Sequence, residues 1–152
     1  MGMRCHGLIA VLVLAALQGC GKDNEVGPKP AEIYGYWKAT QAEYVSHAAP
    51  SVRVDLCDST NCWTRMQIES DHTLKVMVRH APAAPDTTAG TWQLDGDLFK
   101  MYPGGFSWYW TWDIQLSGNT LKLTGADVRW DFDEDGLLED NEEADWNLVL
   151  VR

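Results

Sequence analysis

The chain has 152 residues, 12 Lys and Arg against 22 Asp and Glu, a formal charge of -10, and 8 Trp. An acid excess of this size repels phosphate backbones and anionic lipid headgroups, so it argues against nucleic-acid binding and electrostatic membrane attachment and favours a cation as partner. With 45% hydrophobic and 22% charged residues the composition is that of one globular domain.

In chain order, Arg4 supplies a positive start, residues 8–17 form an unbroken apolar run, and Leu17-Gln18-Gly19-Cys20 follows at once. The run is too short to span a bilayer permanently, and the pattern is that of an export signal. It resembles a bacterial lipoprotein signal, whose lipobox ends in Cys after a small residue, with Leu three places back; Gln18 departs from the small or apolar residue usual there. The resemblance implies that residues 1–19 are removed and that Cys20 becomes the lipidated N-terminus. An ordinary secretory signal is the alternative. Gly21 follows Cys20, and in such lipoproteins a residue other than Asp there implies sorting to the outer membrane of a bacterial cell envelope. Residues 20–32 are polar, rich in Gly and Pro and without periodicity, as expected of a flexible tether. The domain is then expected over residues 33–152, as a monomer.

Export places the remaining thiols, Cys57 and Cys62, in an oxidising compartment, so they read as one disulfide closing a six-residue loop. A loop that short pins a turn more than it holds a domain together. Zinc is the poorer reading, because the two Cys lack a nearby His and His47, His72 and His80 show no ligand spacing.

From Ile33 onward the dominant period is two, the strand signal. Trp108, Trp110, Trp112, Ile114 and Leu116 share one face, alternating with Tyr109, Thr111, Asp113 and Gln115. Leu74, Val76 and Val78 form a second row, Leu121 and Leu123 a third, and Trp146, Leu148 and Leu150 a fourth. Turn residues separate the rows at 70–72, 95–97, 103–105 and 117–119. No window shows helical periodicity. The pattern predicts an all-β fold of eight or nine short strands in consecutive antiparallel hairpins. An up-and-down β-barrel is the economical closure, since it removes exposed edges; a two-sheet sandwich is the alternative.

Gly35-Tyr36-Trp37 resembles the lipocalin Gly-x-Trp signature, and Gly90-Thr91-Trp92-Gln93-Leu94-Asp95-Gly96-Asp97-Leu98 and Leu116-Ser117-Gly118-Asn119-Thr120-Leu121-Lys122-Leu123 are similar to hairpins of bacterial lipocalin-like lipoproteins. The second lipocalin signature, a Thr-Asp-Tyr-like turn, is missing. The resemblance implies a lipocalin-like barrel in which Arg152, near the last strand, stacks on Trp37 at the closed end.

The acid is concentrated. Nine of the 22 acidic residues lie between Asp131 and Asp145 with no base among them, leaving 13 acids against 12 bases elsewhere. Residues 131–142 match the twelve-residue EF-hand calcium loop position by position. Asp131, Asp133 and Asp135 stand at positions 1, 3 and 5, Gly136 at the sharp turn of position 6, Leu137 at the backbone-carbonyl position 7, Glu139 at position 9 and Glu142 at the bidentate position 12. Leu138, at position 8, has the apolar character such loops use to anchor to a core. The flanks are strand-like instead of helical, with at most one helical turn at 141–145. Calcium is the expected ion, Magnesium being stricter in geometry, and a loop without its helix pair should stabilise and not signal. A solvated acidic hairpin is the alternative.

Trp108, Trp110 and Trp112 are candidates to line a pocket for a small apolar ligand, although an eight-stranded barrel can also be filled by such side chains. No nucleophile elbow, phosphate loop or His-Glu-x-x-His motif is present, and the chain is not expected to be an enzyme. The expected function is a calcium-binding, lipid-anchored binding module. The alternative is a structural or interaction barrel with a filled core, similar to the small lipoproteins that inhibit lysozyme.

Overall fold

The computed structural model describes residues 27–56, 62–79, 84–133, 135–139 and 141–152. Cys20 and Cys57 fall outside them, and with them the expected lipidation and disulfide; Cys62 is half-buried just before the third strand. No helix among the described residues is long and apolar enough to cross a membrane.

The chain is nearly all strand. A helical turn, α1 (Pro30–Ile33), precedes β1 (Gly35–Ser46), β2 (Arg53–Asp55), β3 (Trp63–Ile68), β4 (Thr73–Arg79), β5 (Asp86–Asp95), β6 (Leu98–Pro103), β7 (Trp110–Ser117), β8 (Thr120–Arg129) and β9 (Glu143–Val151). Every pairing is antiparallel and follows chain order from β3 to β9, and β9 returns to pair with β1. Eight strands thus close a barrel of up-and-down topology. The short β2 is the extra strand, lying on β1 at Glu43–Val45.

The alternation seen in the sequence is the inside–outside alternation of the barrel wall. Met66 and Ile68, Leu74 and Val76, Phe99 and Met101, Trp112 and Ile114, Leu121 and Leu123, and Trp146, Leu148 and Leu150 all point inward and are buried. The hairpins turn where glycine permits it. Gly96 and Gly118 have φ of 62° and 57°, left-handed values a Cβ would resist, each opening a two-residue turn between paired strands. Bulges at Ala39/Gln41 and Leu123/Ala126 bend β1 and β9's partner β8 into the curve that closure requires.

One end of the barrel is sealed. Pro30 begins α1 and places Ile33 inside, fully buried, where its carbonyl accepts the indole N–H of Trp37 at 2.8 Å. The Arg152 guanidinium lies 4.8 Å over the Trp37 ring and donates to the Tyr34 carbonyl at 3.2 Å. The stacking implied by the lipocalin resemblance is therefore present. Burial falls off toward the other end, where Val78, Trp110, Val128 and Trp130 are only half-buried.

Candidate functional site

The open end carries both features singled out by the sequence. Residues 130–142 connect β8 to β9, whose ladder runs up to the Arg129–Glu143 pair. A strand hairpin therefore supports the loop, and the helical turn allowed at 141–145 does not form: β9 already begins at Glu143. Continuous cross-strand pairing satisfies that backbone better than a single helical turn can.

Within the loop the acidic side chains organise the backbone. The Trp130 N–H donates to the Glu142 carbonyl at 3.0 Å and closes the base. Glu142 is 5% exposed; its Oε1 accepts from the Phe132 N–H at 2.8 Å and its Oε2 from the Glu139 N–H at 2.9 Å. Gly136, at φ 84°, turns its N–H onto Asp131 Oδ2 at 2.8 Å. Asp133 Oδ1 and Asp135 Oδ1 accept from the N–H groups two residues on, at 3.2 and 2.8 Å.

Asp131, Asp133 and Glu142 are thereby brought together, with one oxygen from each lying within 4.8 Å of the others. Asp135 and Glu139 do not join this cluster in side-chain position, and Leu137 is 63% exposed. Asp131 Oδ1 is buried and has no hydrogen-bond partner among the described residues. A buried carboxylate oxygen without a donor is costly, and carboxylates this close repel by roughly 1 to 4 kcal/mol per pair at effective dielectrics from water down to about 20. A hard cation relieves both. An all-oxygen donor set of carboxylates fits calcium or magnesium and offers nothing to a soft metal.

Leu138 does not anchor the loop to the core as expected. It is 58% exposed, while Phe132, at loop position 2, packs against the core instead. Leu138 instead reaches the rim of a recess of about 600 Å³ at the open end.

That recess has an aromatic wall. Trp130 stacks on Tyr44 with ring centroids 4.2 Å apart, Tyr44 lies parallel to Trp146 at 5.8 Å, Trp146 meets Trp110 edge-on at 5.6 Å, and Trp110 meets Trp108 edge-on at 5.0 Å. Val76 and Val78 from β4, Ala84 just before β5, Asp86 and Thr88 at its start, and Val128 and Arg129 from β8 complete the lining with Leu138. Burial pushes the Tyr44 phenol well above the usual tyrosine range. Its volume falls within the range of small-molecule sites. A larger recess of about 830 Å³ lies on the outer wall near Gly27, Asp97 and Arg152, but its lining is mainly polar and carries no aromatic ring.

Of the three Trp predicted to meet a ligand, Trp108 and Trp110 line the recess. Trp108 sits in the loop before β7 and is 44% exposed. Trp112 lies deeper, fully buried, and its indole N–H donates to the Trp146 carbonyl at 3.0 Å. Tyr44, Trp130 and Trp146 were missed as lining residues. Their signal is positional: Tyr44 and Trp146 are directly paired on β1 and β9, and each lies near the open-end terminus of an inward row. No protein-family model matches the chain, and no curated protein matches it.

Proposed function

We propose that the protein is a non-enzymatic binding module of the bacterial cell envelope, a lipid-anchored barrel that holds calcium in the 131–142 loop and a small apolar ligand in the aromatic recess beside it. The observation that carries this reading is the buried, unpartnered Oδ1 of Asp131, set with Asp133 and the buried Glu142 at one point of the rim. Among the described residues, Glu142, Asp133, Asp135 and the second oxygen of Asp131 accept backbone N–H groups of the loop, while Asp131 Oδ1 accepts none. The recess supports the second part, with four indoles and a phenol around a volume suited to one small molecule.

Gly27 lies against the Gly96 carbonyl, in the turn between β5 and β6 at the sealed end. The described residues therefore begin at the end opposite the recess, where a tether would join the barrel without blocking the mouth.

A second reading, an interaction barrel that docks on another protein, draws on the exposed Phe106, Trp108, Leu137 and Leu138 around the same mouth. Native mass spectrometry of protein purified from its own membrane separates the two. The binding module is expected to retain one calcium ion and a small apolar molecule, and Asp131→Ala to lose the ion. Protein carrying neither, even in millimolar calcium, would overturn the proposal.

A further inference from the structure

We propose that calcium and the apolar ligand bind with positive, reciprocal coupling, transmitted through Trp130 and Leu138. The coupling presupposes the ion and ligand proposed above and adds how one regulates the other.

The loop and the recess share a wall. Trp130 immediately precedes Asp131, bonds through its N–H to the Glu142 carbonyl, and stacks its ring on Tyr44. On the other arm, Leu138 immediately precedes Glu139, whose N–H is held by Glu142 Oε2. Both Trp130 and Leu138 line the recess. The buried Glu142 carboxylate therefore holds both arms, through Phe132 N–H and Glu139 N–H, and is itself one of the three oxygens gathered for the ion.

The core does little to fix the Leu138 arm. Leu137 and Leu138 are both mostly exposed, so the arm is ordered chiefly by hydrogen bonds to carboxylates that repel one another when no cation joins them. An ion removes that repulsion and restricts both arms together. A ligand entering afterwards meets a wall already ordered and loses less conformational entropy on binding, which is positive cooperativity. Linkage makes the effect mutual: the ligand must tighten calcium by the factor by which calcium tightens the ligand.

The mouth also narrows the ligand class. Asp131, Asp133, Asp135, Glu139 and Glu142 stand on the loop beside it, while the recess lining itself carries one acid, Asp86, and one base, Arg129, so the net field opposes an anionic headgroup even after one divalent ion has bound. The recess is suited to an uncharged molecule with a flat ring or short apolar chain that packs on Trp108 and Trp110.

The test uses N-phenyl-1-naphthylamine, an uncharged fluorescent probe, titrated into the full-length protein in excess chelator and in saturating calcium, with calcium titrations run without and with saturating probe. We expect the probe to bind at least about fivefold tighter with calcium, calcium to bind tighter by the same factor with probe, and Leu138→Ser to bring the ratio toward 1. Calcium uptake and probe binding with equal probe affinities in the two states would overturn the coupling and leave the binding module standing. A parent-like ratio in Leu138→Ser would overturn the route through this arm. Absence of calcium uptake or of probe binding would overturn the binding module and the coupling with it.

Discussion

Glu142 concentrates the design of the rim in one side chain. Its carboxylate is buried, accepts two backbone N–H groups from opposite arms of the loop, and sits with Asp131 and Asp133. Glu142→Gln keeps the shape but replaces one acceptor oxygen with a donor facing another donor. We expect it to destabilise the protein by about 1 to 3 kcal/mol in chelator, the cost of a buried group left unsatisfied, and to remove the stabilisation by calcium; urea unfolding with and without the ion measures both. His47 provides a second check at this scale. Its Nε2 lies 3.0 Å from Asp145 Oδ1, and that hydrogen bond is the main cause raising its pKa above the ordinary value, with burial opposing and the charges of Asp145, Asp127 and Glu143 adding. The folded pKa is raised, so the pair's contribution is complete below the unfolded value of about 6.5 and is lost as pH rises through the folded value. In chelator, the stability difference between the parent and Asp145→Asn is therefore expected to be larger at pH 5.5 than at pH 8, and the His47 ring to titrate above 6.5 by NMR.

The strands were legible in advance because a barrel wall imposes a strict two-residue period. Leu74 and Val76, Leu121 and Leu123, and Trp146, Leu148 and Leu150 each fall on the inner face that their alternation predicted. Of the six loop positions the spacing picked out, Asp131, Asp133 and Glu142 are brought together, whereas the side chains of Asp135 and Glu139 do not join them, because motif spacing fixes the order of the residues along the loop and not how each side chain turns. What alternation misses is depth along the barrel axis. Trp108 and Trp112 share one sequence face, yet one lies on the rim and the other in the sealed interior. The role of Leu138 was misread for a related reason: a motif borrowed from helical pairs carries its anchoring position with it, whereas here Phe132 provides the contact. The loop is nevertheless an appendage to its hairpin. Replacing residues 130–142 with Asn-Gly, directly between Arg129 and Glu143, joins strands already in register. The product is expected to keep the strand signature in far-UV circular dichroism and to lose any calcium-dependent change in Tm.

For the whole molecule, the formal charge of -10 comes mostly from one end of the barrel, because outside residues 131–145 acids and bases nearly balance. An ion bound there acts as a ligand of the folded state alone. At a calcium concentration 100 times its Kd it adds about 2.7 kcal/mol, a rise in Tm on the order of 10 °C for a domain of this size. Scanning calorimetry in chelator and in millimolar calcium checks this, and Asp131→Ala is expected to melt alike in both. Salt alone is expected to produce only a small part of the shift, since screening weakens repulsion among the exposed acids without filling the oxygen site.

The run of rings from Trp130 through Tyr44, Trp146 and Trp110 to Trp108 has an optical consequence. Aromatic transitions held at fixed angles a few ångströms apart in a chiral frame couple to one another, so the near-ultraviolet circular dichroism of this barrel should be dominated by its mouth. Whatever enters or orders that mouth then registers in the protein's own spectrum, without an added label.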